Sequence, residues 1–352
     1  MERDIKIEPF ENCPALAGCH CQTNSLAKIY RYYNCPLSEE MLLGLGCGMG
    51  FVYWHQKGAP PFIGGRGNVK GFFQDVGERT GVRIEVKTTA SERKAQDALL
   101  EKLKKKQPVM LYGDMGYLPW FDLPREYHFG GHTFVVCGYD GKETVLASDM
   151  DQTSGGLKKG FYYPVTLQRL KTARSSPYKP FPPKNRWLEF DFSGYRPPDE
   201  AAVLSAIRQT MEGLLSPPIS NLGVKGMRRS AKELLRWRTL FSERELRMNL
   251  FNIYIFTEIG GTGGGCFRYI YSRFLKEAAG IVKNRAHRAG FEAAASRVNE
   301  SGKMFTKLGL LYEDAETASD IDGRIEKGSE IFKKIASVEE EAFGALSETV
   351  GT

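Results

Sequence analysis

The sequence predicts an α+β chain, with a mixed region of helices and strands followed by a region that is almost entirely helical. Its 352 residues are enough for about two domains. Short apolar strands alternate with amphipathic helices as far as residue 192. From residue 199 nearly every segment has helical periodicity, broken at the prolines at 217–218 and the glycine run at 260–265. We therefore expect domains at 1–195 and 196–352.

The elements of the first domain follow from periodicity, caps and breakers. Helices are expected over 21–33, after Ser38, over 69–79 and from Ser91 to 106. Strands are expected over 51–54, 82–87, 109–112, 133–139, 144–148 and 187–192. The proline- and glycine-rich stretches 58–67 and 175–184 are predicted as loops. Asp140-Gly141 is typical of a two-residue type I′ turn, which would join two strands as a hairpin.

Composition excludes several classes of protein. With 41% apolar and 26% charged residues, the chain resembles folded globular proteins and not disordered ones. No apolar run approaches the roughly 18 to 20 residues of a membrane span. The N-terminus is charged where a signal peptide would be apolar. We expect a soluble, cytoplasmic protein with no membrane partner.

The cysteine pattern argues against a disulfide framework. Five of the seven cysteines fall within the first 47 residues, and an odd count without an export signal favours free thiols. Zinc is an alternative, because Cys13, Cys19, His20, Cys21 and Cys35 could supply four ligands. The spacing lacks a C-x-x-C knuckle and a paired histidine motif, so no metal is expected.

Charge is unevenly distributed in the second domain. Residues 225–288 contain 14 Lys/Arg against 5 Asp/Glu, whereas residues 310–352 contain 11 Asp/Glu against 4 Lys/Arg. The basic stretch is predicted to be either a solvated helical face, partly neutralised by the acidic C-terminal helix, or a docking surface for an acidic partner. No nucleic-acid recognition module is present, so nucleic acid is not an expected partner.

Cys21 is the candidate nucleophile. It lies where the first long helix is expected to begin, more than about 100° from the centre of that helix's apolar stripe. The stripe consists of Leu26, Ile29, Tyr30 and Tyr33. A thiol in the first helical turn faces free backbone N–H groups and the positive end of the helix dipole, which favour the thiolate. Cys19 is the rival nucleophile.

His132 and Asp149 are the candidate base and its partner. With a two-residue turn at 140–141, paired residues sum to 281, and His132 faces Asp149 across the hairpin. A carboxylate in that position would fix the imidazole tautomer and stabilise its cation. Asp151 is the diagonal alternative. Cysteine on a helix, histidine on a strand and aspartate on the next strand follow the order of papain-like enzymes.

These residues lie in a longer stretch of similarity. Residues 18–54 (GCHCQTNSLAKIYRYYNCPLSEEMLLGLGCGMGFVYW), with Gly65-Arg66 and Gly131-His132, resemble the N-terminal domain of the butirosin biosynthesis protein H family. The shared features of this stretch are His20-Cys21, Leu37-Ser38-Glu39, the glycines from Gly44 to Gly50, Phe51 and Tyr53. Residues 258–268 (EIGGTGGGCFR) and 274–278 (FLKEA) resemble the helical domain that commonly follows it.

The resemblance implies a papain-like acyltransferase domain followed by an all-α domain. Such an enzyme forms an acyl-enzyme on Cys21 and passes an aminoacyl or peptidyl group to a small amine acceptor, in antibiotic biosynthesis or other secondary metabolism. The acyl or peptidyl carrier protein would bring its own phosphopantetheine, so no cofactor is expected, and residues 225–288 could dock it. A homodimer is left open. Papain-like enzymes usually have a glutamine before the nucleophile as an oxyanion donor, and residues 14–18 (PALAG) contain none.

Further residues are candidates for substrate binding. They are Arg66, Tyr53, His128, Gly263, Gly264 and Arg268. The glycine run could cradle a phosphate or the pantetheine arm with help from Arg268, or could mark a close helix crossing. Arg66 could bind a substrate carboxylate or form a structural pair. An acyl pocket, or a simple packed loop, is expected near Trp120, Phe121 and Tyr127.

Two other functions remain open. With water as the acceptor, the same three residues would make a papain-like cysteine peptidase or amidase. In a binding module the three residues would be incidental, and alkylation of Cys21 would change nothing measurable.

Overall fold

The computed structural model describes residues 7–124, 126–151 and 157–351. The helices are α1 (Cys21–Tyr32), α2 (Glu39–Leu45), α3 (Phe72–Thr80), α4 (Glu92–Lys104), α5 (Leu167–Ser175), α6 (Glu200–Leu215), α7 (Gly223–Leu240), α8 (Glu243–Tyr254), α9 (Arg268–Ile281), α10 (Arg285–Leu310) and α11 (Ile321–Val350). The strands are β1 (Met49–Trp54), β2 (Phe62–Arg66), β3 (Arg83–Lys87), β4 (Val109–Gly113), β5 (His132–Tyr139), β6 (Thr144–Met150), β7 (Gly160–Thr166) and β8 (Trp187–Asp191). The prediction of an α+β chain is confirmed.

The chain forms two compact units. The first contains residues 1–39 and 81–197, and the second contains residues 40–80 and 198–352. The break at 197–198 is close to the boundary predicted at 195–196. The segment 40–80, however, belongs with the C-terminal helices, whereas the sequence predicted two continuous domains. Periodicity identifies elements but carries no signal for which unit an element joins.

The first unit is built on a six-stranded antiparallel sheet of order β3-β8-β4-β5-β6-β7. Helix α1 contacts β4, β5 and β6, the central part of this sheet. Helices α4 and α5 contribute to a core with alternate residues of the central strands. That core contains Leu99, Leu103, Leu111, Phe134, Val136, Ala147 and Leu170. Because β5 and β6 are antiparallel neighbours, the start of β5 and the end of β6 lie at the same end of the sheet, next to this core.

The second unit is helical apart from the β1–β2 ribbon. Helices α7, α9, α10 and α11 pack on one another, and β1 packs on α7. The interruptions predicted from the prolines at 217–218 and the glycines at 260–265 separate α6 from α7 and α8 from α9. Among helices of the described ranges, no membrane-spanning candidate occurs.

Three elements were not predicted. Strand β2 lies inside the stretch expected to be a glycine-rich loop, and β7 and α5 follow β6 without a clear periodic signal. β7 carries Pro164, which a central strand would not accommodate, and it is the edge strand of its sheet. For β2 and β7 the reason is that short edge strands depend on their neighbours more than on their own pattern.

Candidate active site

Cys21 is the first residue of α1, as predicted, and it is half-buried. His20 caps the helix, with its Nδ1 accepting the Thr23 N–H at 3.4 Å. The Glu39 carboxylate accepts the backbone N–H of Cys19 at 2.7 Å and that of His20 at 3.2 Å. These bonds hold the turn that presents Cys21. Glu39 belongs to the Leu37-Ser38-Glu39 run that the chain shares with the family it resembles, but the sequence did not indicate this role.

His132 and Asp149 form a buried, hydrogen-bonded pair. His132 Nε2 lies 2.7 Å from Asp149 Oδ2, and both side chains are almost completely excluded from solvent. The Trp120 indole N–H donates to the same oxygen at 2.8 Å, and the Met150 backbone N–H donates to Oδ1 at 2.8 Å. A carboxylate with three donors stays ionised and holds the imidazole in one orientation.

The third contact joins His132 to Cys21. Because Nε2 is bonded to Asp149, Nδ1 is the ring nitrogen left to face the thiol. Burial raises the pKa of Cys21, but hydrogen bonding to His132 and its positive charge outweigh burial, so the pKa lies below that of an ordinary thiol. Burial lowers the pKa of His132, but the charge and hydrogen bond of Asp149 dominate and raise it to about 10. A thiolate–imidazolium pair is therefore the favoured state.

The hairpin register differs from the predicted one. Tyr139 pairs with Val145, not with Lys142, and residues 140–143 form the loop. The Asp140 carboxylate accepts the N–H groups of Lys142 and Thr144 and so closes a wider loop than a type I′ turn. The predicted two-residue turn is wrong.

The predicted contact nevertheless forms, because a bulge corrects the register. Cys137 is the extra residue between the pairs Gly138–Leu146 and Val136–Ala147. Continuing from Val136, alternation places His132 on the same face as Asp149, one diagonal step away. Asp149, not Asp151, is the carboxylate bonded to His132.

The other cysteines stand in different surroundings. Cys13, Cys19, Cys47, Cys137 and Cys266 are buried. Burial raises the pKa of the Cys47 thiol to about 11 and that of Cys266 to about 12. Cys35 lies beyond the end of the helix that Cys21 begins, so these two thiols cannot bind one metal ion. Within the described ranges, no three His, Cys, Asp or Glu side chains gather as metal ligands.

The loop before β5 places aromatic rings around the His132–Asp149 pair. Phe121 meets the His132 ring edge to face at 5.1 Å, and Trp120 stacks on Tyr163 at 4.9 Å. Trp120 was predicted as an acyl-pocket or packing residue, and its hydrogen bond to Asp149 was missed. A buried indole N–H requires an acceptor, which is the one signal that could have indicated this bond. Tyr127 of the same loop is 43% exposed.

His128 is engaged in its own loop. Its Nδ1 lies 2.9 Å from Asp114 Oδ2, and its ring stacks on Tyr178 at 3.4 Å. Asp114 also accepts the Phe129 N–H at 3.0 Å. The histidine therefore anchors residues 126–130, whereas the sequence indicates it as a candidate for substrate binding.

The remaining predicted binding residues belong to the second unit. Tyr53 is buried, with its hydroxyl 3.3 Å from Trp237 Nε1. Arg66 donates to the Gly48 carbonyl at 2.7 Å and lies over the Phe72 ring. Of the two roles predicted for Arg66, these contacts fit the structural one and not the binding of a substrate carboxylate.

Arg268 is fully buried. Its guanidinium bonds both Glu339 oxygens, at 2.7 and 3.0 Å, and the Gly50 carbonyl at 2.8 Å. Its charge is therefore neutralised by Glu339 and is not turned to a ligand.

Neighbouring side chains accept hydrogen bonds from the backbone N–H groups of the glycine run. The Gly264 N–H donates to Thr262 Oγ1 at 3.1 Å, and the Gly265 N–H donates to Glu258 Oε1 at 3.0 Å. Gly263, Gly264 and Gly265 have positive φ, and a Cβ on Gly265 would lie 3.0 Å from Gly302 Cα of α10. This geometry fits the predicted close helix crossing. The Gly265 N–H, which a bound phosphate would need as a donor, is already bonded to the Glu258 carboxylate.

The basic stretch 225–288 is partly neutralised within its own unit. Arg228 bonds Glu340 at 2.9 Å, and Arg238 pairs with Asp322 at 2.7 Å, both acids lying on α11. The acidic C-terminal helix thus neutralises part of this face, in line with one of the two alternatives.

Two family models match the chain. The model described as "Butirosin biosynthesis protein H, N-terminal" matches residues 20–150, which include Cys21, His132 and Asp149. The model described as "Domain of unknown function (DUF4872)" matches residues 168–346, about half of the chain. A comparison with curated proteins found no match.

Proposed function

We propose that this chain, which belongs to the butirosin biosynthesis protein H family, is a cysteine-dependent acyltransferase in a biosynthetic pathway. The observation that carries the proposal is the His132–Asp149 hydrogen bond of 2.7 Å beside the Cys21 thiol, which lies in the first turn of α1 and whose pKa is lowered. A thiolate backed by an oriented imidazole is the arrangement that acyl-enzyme chemistry needs. The order of helix, strand and strand supports a papain-like domain as part of this proposal.

The first step loads the enzyme. The Cys21 thiolate attacks the carbonyl carbon of a carrier-bound thioester, and the carbonyl π electrons move to oxygen. When the tetrahedral intermediate collapses, the C–S bond to the donor breaks and the His132 imidazolium gives its proton to the departing phosphopantetheine sulfur, which leaves as the thiol and leaves His132 neutral. One thioester replaces another, so the exchange is close to balanced in free energy, and binding of the donor decides its direction.

The second step transfers the acyl group to an amine. The amine nitrogen attacks the carbonyl of the acyl-enzyme, and His132 accepts the proton that the nitrogen loses. Collapse breaks the C–S bond to Cys21, which leaves as the thiolate. Asp149, fixed by Trp120 and the Met150 N–H, keeps the imidazole oriented and stabilises its cation.

The proposed partners are an acyl or peptidyl carrier protein and a small amine acceptor. The excess of 14 basic over 5 acidic residues in 225–288 supports an acidic carrier, although α11 neutralises part of that charge. A cytoplasmic location is part of the proposal, because all seven cysteines are free thiols.

Intact mass spectrometry tests the proposal. The chain is mixed with a panel of aminoacyl-pantetheine thioesters, beside Cys21→Ala and, as the matched control, Cys19→Ala. We expect an acyl adduct on the wild type and on Cys19→Ala, and none on Cys21→Ala. An adduct that survives Cys21→Ala, or no adduct with any thioester, would contradict the proposal.

The decay of the adduct then separates transfer from hydrolysis. For a transferase, added amines release the acyl group as an amide much faster than water releases it as an acid. For the peptidase or amidase alternative, the adduct decays at the same rate with and without amine.

A further inference from the structure

The solvent-facing side of α7 carries a row of positive charges. Four exposed basic residues follow one another at spacings of four, three and four residues, and we call them the basic row: Lys225, Arg229, Lys232 and Arg236. These spacings place them on one side of the helix, along about 16 Å of its axis. Like charges on successive turns repel and destabilise a helix. The basic row therefore does not serve the stability of α7.

Most of this charge is uncompensated within the unit. Among the residues that the structure describes, neither Lys225 nor Lys232 has a hydrogen-bond or ion-pair partner. Arg229 donates to the amide oxygen of Asn221 at 2.7 Å, and this acceptor carries no charge. Three of the four cations thus have no carboxylate bonded to them.

The nearby carboxylates are bonded to other cations. Glu233 of α7 accepts from Arg236, the fourth member of the basic row, at 3.1 Å. Glu340 of α11 accepts from Arg228, which lies beside the row, at 2.9 Å. The acidic C-terminal helix therefore neutralises one flank of α7 and leaves the centre of its exposed side positive.

Apolar side chains next to the basic row favour a protein as its partner. Leu235 and Leu240 lie on either side of Arg236 and are 41% and 45% exposed. Interfaces between proteins combine apolar contacts with charged ones, whereas a nucleic-acid backbone is held by cations and polar groups. The apolar side of α7, with Leu234 and Trp237, is buried within the unit, so α7 cannot insert it into a membrane surface.

We propose that the basic row docks an acidic helix of the carrier protein that brings the acyl group. The inference rests on the proposed acyltransferase function. Carboxylates at similar spacings along about three turns of a partner helix would face the four cations. Charge complementarity of this kind speeds association and selects the partner more than it tightens the complex.

The test compares two donors of one aminoacyl group. The first is a purified acyl carrier protein with an acidic helix, whose phosphopantetheine bears the aminoacyl group. The second is the aminoacyl-pantetheine thioester without a carrier. Loading of Cys21 from each donor is followed by intact mass at low and at physiological salt. Fluorescence anisotropy of the labelled carrier without its acyl group measures binding apart from the reaction.

We expect the double variant Lys225→Glu/Lys232→Glu to lower kcat/KM for the carrier-bound donor by roughly tenfold or more at low salt. Loading from the free thioester should be unchanged. The difference should shrink at higher salt, because exposed charges are screened. Since Lys225 lies in the first turn of α7, a glutamate there is favoured by the helix dipole, and the variant should fold.

Two controls accompany this variant. Lys303→Glu/Lys307→Glu reverses two exposed lysines of α10 and should change neither donor's loading rate. A carrier in which two acids of the acidic helix are replaced by lysine should bind Lys225→Glu/Lys232→Glu more tightly than it binds the wild type.

A wild type that binds the acidic carrier no more tightly than Lys225→Glu/Lys232→Glu would overturn the proposal. Equal losses with both donors, or an equal loss in Lys303→Glu/Lys307→Glu, would also overturn it. So would binding of duplex RNA or of vesicles of anionic lipid that depends on Lys225 and Lys232 when carrier binding does not. Failure of the proposed function looks different, because the labelled carrier would still bind through the basic row while neither donor loaded Cys21.

Discussion

At the scale of single residues, the reactivity of Cys21 depends on a balance of opposing effects. Burial disfavours the thiolate, and in Cys47 and Cys266 burial prevails and raises the thiol pKa to about 11 and about 12. At Cys21 the charge of His132 reverses the outcome. That charge persists because Asp149 raises the pKa of His132 to about 10. Asp149 thus acts on the nucleophile through the imidazole.

His132→Gln should raise the pKa of Cys21 above that of an ordinary thiol, because burial then acts without the hydrogen bond and charge of the His132 imidazolium. Each unit of pKa reduces the thiolate fraction at neutral pH about tenfold, so alkylation at pH 7 should fall at least that much. The pH dependence of iodoacetamide labelling, read at Cys21 by mass, measures the midpoint. His128→Gln is the matched control, since His128 also bonds an aspartate but lies in its own loop. Equal midpoints in both variants would show that His132 does not set the thiol pKa.

Only part of this site was predictable from the sequence. The position of Cys21 follows from helical periodicity, whereas the shared face of His132 and Asp149 depends on a bulge at Cys137 that alternation does not encode. Trp120 comes from a segment without a periodic signal. Its bond to Asp149 depends on how the loop before β5 packs on the sheet, which local pattern does not encode.

At the scale of elements, the β5–β6 hairpin shows how a correct contact can follow from an incorrect register. At the loop, Gly138 pairs with Leu146, and an unbroken ladder from there would place Asp149 on the face of Thr133 instead of His132. The bulge at Cys137 shifts the pairing by one residue and restores the shared face. A wider loop and a bulge together displace the predicted pairing by two residues, which preserves the face. Neither feature is readable from Asp-Gly and alternation.

Helices α9, α10 and α11 meet around a buried ion pair. Glu339 of α11 bonds Arg268 of α9 and accepts a hydrogen bond from Ser301 of α10. Both charged side chains are completely buried. Such a pair specifies how the helices align, and it leaves an uncompensated charge in the core if one partner is lost.

Glu339→Gln should therefore lower the free energy of unfolding by about 3 to 5 kcal/mol, because Arg268 keeps its charge without a counterion. Urea unfolding followed by circular dichroism measures the change. Glu340→Gln is the control, since its pair with Arg228 is half exposed and is expected to contribute about 1 kcal/mol or less. The double variant Arg268→Met/Glu339→Leu should regain most of the loss. If Glu339→Gln and Glu340→Gln destabilise equally, the buried pair has no special role.

At the scale of the whole molecule, the two structural units do not coincide with the two segments that match family models. The N-terminal family match runs through 20–150 and includes 40–80, yet this segment packs within the helical unit. Phe51 of β1 contacts Phe305 and Phe332, and the Tyr53 hydroxyl meets Trp237. The first unit carries the whole proposed catalytic set, but its chain cannot be cut out as one continuous piece without separating 40–80 from the core that buries it.

Truncation after residue 197 should therefore fail to give an independently folded enzyme, although it keeps Cys21, His132 and Asp149. Segment 40–80 would expose Phe51, Tyr53 and its other buried residues to water, and such surfaces promote aggregation. Size-exclusion chromatography and urea unfolding measure this, with the full chain as reference. Co-expression of 198–352 returns the missing helices and should restore a cooperative transition. A monomeric fragment 1–197 that unfolds cooperatively and alkylates at Cys21 like the full chain would refute this dependence.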